Sequence, residues 1–320
     1  MIETGVAMKK LKFVLSLTND DNDYQQEQAS AAERAARRLG VDLIIVHANN
    51  DAVTQSQQLL QFVQSSTGAR PDAIVFEPAG GTAFPQVARA ATAANIGWVV
   101  LNHDADYLQK LREGARVPVF SISSDHLEVG RVQGRQLAAL LPEGGSVLHI
   151  EGPPGSSAVK LRTEGMNQTK PSAVQVKTLR GQWTEESAHR AVSSWLRLRT
   201  SQEMHFNAVA AQDDSMAAGA RKAFGEVVGT ERDRWLHIPF IGCDGMPKTG
   251  QSWVRSGILT ATIYIRPNAD LALEMLTDTL RGGTHPQERT LTLPESFPAI
   301  EELTAKAEKH KGARHRSANV

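Results

Sequence analysis

Residues 12–48 read KFVLSLTNDDNDYQQEQASAAERAARRLGVDLIIVHA. The stretch opens on an apolar run holding Phe13, Val14, Leu15 and Leu17. That run is short enough for a strand and too uniformly apolar for a strand with one wet face. A polar turn follows, then a segment at 25–39 with alanines along it, then Gly40, the residue expected just past a helix C-terminus. A second apolar run occupies 42–48. Strand, helix and strand in this order predict parallel pairing with the helix laid over the sheet.

The same pattern continues outward. Strands are expected at 12–18, 42–48, 73–77, 97–102 and 117–123, with helices at 25–39, 53–66, 82–94 and 126–141 between and after them. Gly130 and Gly134 in the last of these helices suggest close packing on a sheet. The alternation then restarts. Strands are expected at 146–151, 174–179, 208–212, 238–243, 259–263 and 287–293, and helices at 157–169, 185–199, 215–228, 248–256 and 268–281. Two successive alternations predict an α/β protein of two doubly wound parallel-sheet lobes, with helices on both faces of each sheet. A chain of 320 residues is also long for one core.

Composition bounds the function. Hydrophobic residues make up 41% and charged residues 22%, ordinary globular values. Acids and bases balance at 35 each, so no global field draws nucleic acid or an anionic membrane. The one cysteine, Cys243, excludes an intrachain disulfide, and its apolar setting reads as core packing rather than as a nucleophile. No apolar stretch approaches the ~20 residues of a membrane span. Residues 1–12 show no apolar h-region, so no secretory signal is visible and a cytoplasmic location stays open. Residues 304–320 hold Lys306, Lys309, Lys311, Arg314 and Arg316 with almost nothing apolar, and read as a basic, disordered, solvated tail rather than a nucleic-acid arm.

In open parallel sheets ligands bind beyond the C-terminal ends of the strands. Those positions carry Asn19 to Tyr24, Gly80-Gly81-Thr82 and Asn102-His103-Asp104, then Gly152 to Ser157, Gln182-Trp183, Asp213-Asp214 and Asp244-Gly245. Amides and carboxylates bridge vicinal hydroxyls and aromatic faces stack on C–H surfaces, so the set suits a sugar. No P-loop Gly-Lys-Ser/Thr, dinucleotide Gly-x-Gly-x-x-Gly, Gly-x-Ser-x-Gly elbow or paired Cys/His spacing occurs, which points away from nucleotide cofactors, hydrolytic catalysis and metal. The acids Asp20, Asp21 and Asp23 lack the Gly and terminal Glu of a calcium loop.

Five segments at these ends resemble the ribose-binding type of periplasmic sugar-binding protein of ABC transporters, a type I periplasmic binding protein fold related to the LacI repressor core. They are GPPGSSAVKLRTEGM (152–166), AQDDSMAAG (211–219), FIGCDG (240–245), LTATI (259–263) and SISSD (121–125). The resemblance covers residues 9–300. It implies ligand contacts at Asn22, Tyr24, Asn102, His103, Arg162, Trp183, Asp213 and Asp244, with Tyr24 and Trp183 stacking on opposite ring faces. Arg162 would donate through its planar fork, and Asp213 and Asp244 would accept from hydroxyls. It also implies an N-terminal lobe of 9–124 plus 266–290, and a C-terminal lobe of 125–264 plus 291–303, joined by three hinge segments near 123–125, 263–265 and 290–293.

Each position has a plainer reading. Trp183 could be core, Arg162 a surface charge, Asp244 a turn, and His103 a satisfied polar group. Asp213 and Asp214 could both serve the following helix, and the roles are divided here as Asp214 for the cap and Asp213 for ligand. Departures from the family pattern include Gln25 for an aromatic, His103 for Arg, Asp213 for Asn and Ile265 for a polar group. They point away from plain ribose, and Asp213 points to a ligand richer in donors, such as a polyol or amino sugar. The resemblance implies a monomeric solute-binding protein without cofactor or enzymatic activity. It would close around a carbohydrate or polyol in the periplasm and present it to a membrane permease. The alternatives are a sensor signalling to a kinase or regulator, and a sugar-processing α/β enzyme.

Overall fold

The computed structural model describes residues 9–81, 83–103, 105–198 and 204–317, with side chains described to 308. Residues 1–8, Thr82, Asp104, Arg199 and 318–320, all included in the readings above, lie outside the described residues.

The elements run in order β1 (Lys12–Leu17), α1 (Asp23–Leu39), β2 (Asp42–His47), α2 (Ala52–Gln64), β3 (Ala73–Phe76), α3 (Pro85–Ala93), β4 (Gly97–Leu101), α4 (Leu108–Gly114) and β5 (Val119–Ser124). They continue with α5 (His126–Leu140), β6 (Gly145–Glu151), α6 (Ser157–Thr169), β7 (Val174–Arg180), α7 (Glu185–Leu196), β8 (Ala208–Ala211), α8 (Asp214–Gly225), α9 (Thr230–Leu236), β9 (Phe240–Ile241), α10 (Gly250–Arg255) and β10 (Thr262–Tyr264). The chain closes with α11 (Ala269–Leu280), β11 (Arg289–Thr292), β12 (Glu295–Phe297) and α12 (Ile300–Ser317). It divides into two compact units. The first takes the chain up to Asp20, then Gln25–Ser123 and Pro267–Thr290. The second takes Asp21–Tyr24, Ser124–Arg266 and Leu291 onward.

In the first unit the sheet order is β11-β5-β4-β3-β1-β2, and β1 through β5 pair in parallel. Strand alternation explains why these runs lack a polar face. Phe13, Leu15, Val75, Val99 and Leu101 enter one apolar layer with α1 and α11, while Val14, Ile74, Phe76, Trp98 and Val100 enter the layer on the opposite face. The order reverses between β1 and β3, which places a topological switch point at their C-terminal ends.

The second unit repeats the plan with β7-β6-β8-β9, all parallel. Leu148, Ile150, Val209, Ala211 and Phe240 face one layer, and Val147, Ala208, Ala210 and Ile241 the other. The first layer holds Trp195, Phe206, Phe224 and Trp235, with Phe224 and Trp235 stacked at 4.6 Å between ring centroids. The expected strand at 259–263 joins this sheet through the isolated Ile241–Ala261 bridge, with Asp244–Tyr264 just beyond it, and β10 pairs antiparallel with β12.

Two expectations need correction. Gly130 and Gly134 pack α5 on α6, not on a sheet: a Cβ on Gly130 would lie 2.1 Å from the Arg162 carbonyl oxygen. From the other side, a Cβ on Gly165 would lie 2.0 Å from the Leu127 carbonyl oxygen. The 304–320 segment, expected to be a disordered tail, is helical through Ser317 as the continuation of α12. Its Ala, Lys, Glu and Arg residues are strong helix formers, Glu301 and Glu302 suit the positive N-terminal end, and buried Leu303 anchors the first turn in the core.

Candidate functional site

Every strand of the second sheet ends in a candidate residue or its immediate support. β6 runs into Gly152, β7 into Trp183, β8 into Gln212 and Asp213, and β9 into Cys243 and Asp244. Trp183 holds a left-handed φ of 61° and lays its indole over Gly152, where a Cβ would meet the ring at 2.4 Å. Gly152 is thus needed for the close approach of the ring. Asn22 Nδ2 donates to the Trp183 carbonyl oxygen at 3.0 Å, and Asn22 Oδ1 accepts from the Tyr24 amide at 2.9 Å, satisfying an open donor at the start of α1.

Arg162 lies on α6 and is 6% exposed. Its Nη1 donates to the Gln212 carbonyl oxygen, its Nε reaches His126 Nδ1 at 3.4 Å, and its guanidinium stands 5.6 Å from the centre of the Trp183 ring. Asp244 Oδ1 is 4.0 Å from Nη1. Burial opposes the arginine charge, but the surrounding Cys243, Asp244, Asp213 and Tyr24 groups more than offset it and raise the pKa above the ordinary arginine value. Among the described residues Nη2 makes no hydrogen bond, so one arm of the fork stays open.

The capping role assigned from sequence to Asp214 falls to its neighbour. Asp213, not Asp214, caps α8: its Oδ1 accepts from the Met216 amide at 2.5 Å. Its Oδ2 is buried and has no hydrogen-bond partner among the described residues, so one carboxylate both caps and offers an open acceptor. Asp214 turns into the protein, where it accepts from Thr262 Oγ1 at 2.6 Å and from the Gly245 amide at 2.8 Å. Gly242 and Gly250 make room for it, since a Cβ at either would come within 2.0 Å of its carboxylate. The adjacent residues of a strand-to-helix turn point in different directions, which residue type alone does not decide.

Asp244 sits at φ 99°, unusual for a residue with a Cβ, and its backbone is pinned on both sides. Its amide donates to the Ile263 carbonyl oxygen at 2.9 Å, and its carbonyl oxygen accepts from the Ile265 amide at 3.1 Å. Its carboxylate accepts no hydrogen bond among the described residues. Burial, the largest cause, pushes the Asp213 carboxyl up to about 7 against the pull of the Met216 amide and Arg162. Burial also holds Asp214 and Asp244 well above the ordinary range, with Asp213 adding to the rise at both.

Tyr24 and Cys243 share a small apolar cluster with Val129, Met246, Ile263 and Ile265. Tyr24 Oη donates to the Arg266 carbonyl oxygen at 3.3 Å, so most of its ring is spent on packing. Burial pushes the Cys243 thiol far up, leaving it a packing residue at neutral pH. Six of the eight candidates, namely Asn22, Tyr24, Arg162, Trp183, Asp213 and Asp244, therefore belong to one network in the second unit.

Asn102 and His103 stand at the end of β4 in the first unit, both buried. Asn102, at φ 55°, donates through Nδ2 to Glu77 Oε2 at 3.2 Å and accepts from Asn268 Nδ2 at 3.1 Å. The sequence reading missed Gln212 and His126, and gave Asp214 only a capping role. Gln212 accepts from the Gly152 amide at 3.1 Å and donates to Thr163 Oγ1 at 3.0 Å, tying β6, β8 and α6 together. Gln212 is adjacent to Asp213 in sequence, but a strand-end glutamine gives no signal that its side chain turns inward.

The sequence pattern of the periplasmic binding protein domain matches residues 13–284. Ribose import binding protein RbsB of Bacillus subtilis is 25% identical over 288 residues, covering 89% of this chain and 86% of its own. Among solved structures, a Caulobacter myo-inositol binding protein bound to myo-inositol superimposes with a TM-score of 0.75 at 19% identity, over 92% of this chain and 95% of its own. A galactofuranose binding protein does so with a TM-score of 0.77 at 20% identity, over 94% and 99%. With that match across most of its length, and two parallel sheets whose strand ends carry the buried polar groups, the chain belongs to the periplasmic binding protein domain family.

Proposed function

We propose that this chain is a solute-binding protein, not an enzyme, that takes up a sugar or sugar-like polyol and presents it unchanged to an ABC-type membrane permease. One observation carries the reading. Arg162, with an open guanidinium arm, stands among Asp213, whose buried Oδ2 has no donor among the described residues, and Asp244, whose carboxylate accepts no hydrogen bond from them, beside the half-buried face of Trp183. Buried acceptors and donors without partners cost stability unless a ligand completes them. Hydroxyl groups on a ring with an apolar face complete all three at once. Asn102 and His103 are proposed as further ligand contacts on the strength of the sequence pattern. Action as a monomer in the periplasm follows from the same reading.

A thermal-shift screen against aldoses, ketoses, polyols and nucleosides tests it. A sugar or polyol at a hundred times its dissociation constant adds about 2.7 kcal/mol of stability. A response to nucleosides alone, or turnover of the sugar seen by chromatography, overturns the reading. Co-purification with a permease supports transport, whereas co-purification with a histidine kinase assigns the same binding chemistry to sensing.

A further inference from the structure

We infer that the ligand of this site carries a protonated amine on its hydroxylated framework, and that Asp213 Oδ2 receives it with Asp244 alongside. The inference deepens the sugar-binding reading above and rests on it. Asp213, Asp214 and Asp244 are buried together, Asp23 acts on all three, and the one cation acting on Asp213 and Asp244 is Arg162. Arg162 is already engaged by the Gln212 carbonyl oxygen and His126.

The second observation is the state of the acceptors. Asp213 is 1% exposed, its Oδ1 is used by the Met216 amide, and its Oδ2 has no donor. Asp214 is the acid the protein satisfies by itself, through Thr262 and Gly245. Two carboxyls thus remain to be completed from outside.

A neutral sugar supplies hydroxyl donors and no charge, so it leaves the surplus of buried acids in place. The protein must then keep a proton on Asp213, and a protonated carboxyl offers an O–H donor where an acceptor was available. An ammonium group supplies three donors and one positive charge at the same point. With it the charge deficit around Arg162 falls by one, and both carboxylates can ionise and accept.

Binding an ammonium to a partly protonated Asp213 displaces a proton to solvent, while binding a neutral ligand need not. The test is calorimetry at pH 6.5 on matched pairs that differ only by amine for hydroxyl: glucosamine with glucose, galactosamine with galactose, and an inosamine with its parent inositol. Each pair is titrated in buffers of low and high ionisation heat. The expected result is at least roughly tenfold tighter binding of the amine in the pair that fits, with net proton release. Asp213→Asn should then abolish both the preference for the amine and the proton release. Neutral members binding as well as the amines, or a preference that survives in Asp213→Asn, overturns the inference and leaves the sugar-binding reading standing. No heat from either member of any pair, together with a blank aldose and polyol screen, removes both.

Discussion

Asp244 combines two costs that a purely structural residue would not carry. Its φ of 99° is a region that L side chains rarely adopt, and its buried carboxylate makes no hydrogen bond among the described residues. Asp244→Gly and Asp244→Ala both remove the carboxylate, so each should weaken ligand binding by roughly 1.5–3 kcal/mol in calorimetry. Only the glycine also relaxes the backbone, so it should exceed the alanine variant by about 1 kcal/mol in urea unfolding. Equal stabilities would remove the strain argument. At Asp213 the sign of the pH dependence follows from burial. Its carboxyl is raised from 3.8 to about 7 in the folded chain, so the folded form holds the proton longer than the unfolded one. The stability from this group is complete below the unfolded pKa and is lost as pH rises through the folded one. Relative to Asp213→Asn, the ligand-free protein should therefore lose stability between pH 4 and pH 7, by at most about 1.4 kcal/mol per pH unit. A flat difference over that window would show that Asp213 does not titrate there. Its position at a strand end was legible in the sequence. The cap at Asp213 rather than Asp214 was not, because it depends on which carboxylate faces the pocket left by Gly242 and Gly250.

Among the elements, the α5–α6 pair governs the site most directly, since α6 carries Arg162 and α5 begins at His126. The helices cross at Gly130, Gly134 and Gly165, where backbone oxygens of the partner helix fill the space of a side chain. Gly165→Ala sets a methyl against the Leu127 carbonyl, which cannot yield without separating the helices. The expected loss is roughly 1–3 kcal/mol of stability, with weaker ligand binding as the arginine is displaced. Gly225→Ala, in α8 with open space around it, should instead be neutral or stabilise by up to about 1 kcal/mol. Denaturant melts of the two variants check the pair, and similar losses would show that helical glycine content rather than helix contact sets the cost. The long parallel strands were legible because burial on both faces leaves them uniformly apolar, as in 12–17 and 97–101. The helices α4 and α9 were not. Each has seven residues, no side chain caps its N-terminus, and α9 is held by Trp235 in the aromatic layer rather than by its own propensity. The glycines of α5 were legible as close-packing positions, but the identity of the neighbour was not, since a bare Cα is compatible with a sheet or a helix.

Across the whole molecule, the units have separate apolar layers, and the chain passes between them after Ser123, Arg266 and Thr290. The alternation of strands and helices indicated two such bodies, but no propensity marks Asp21–Tyr24, within and before α1, as part of the second one. That assignment depends on contacts such as Asn22 with the Trp183 carbonyl and Tyr24 with Cys243 and Ile265. Separate layers also predict separate cooperative unfolding, which the tryptophans can report. Trp98 lies in the first unit, packed 4.6 Å from Phe76 and donating through Nε1 to Tyr107 Oη, whereas Trp183, Trp195, Trp235 and Trp253 lie in the second. Trp98→Phe opens a gap and leaves the Tyr107 hydroxyl without this donor, so the first unit should lose about 1–3 kcal/mol. The remaining fluorescence then comes from the second unit alone, and in the ligand-free variant its urea midpoint should stay that of the parent. Circular dichroism, which reports both units, should acquire an earlier transition. Adding the ligand should move the fluorescence midpoint by the increment expected from its dissociation constant, about 2.7 kcal/mol at a hundredfold excess, because the groups proposed to bind it, Asn102 and His103 excepted, are in the second unit. Fluorescence and circular dichroism that shift together in the ligand-free variant would mean that the two cores unfold as one, and the assignment of ligand stabilisation to the second unit would fall with that result.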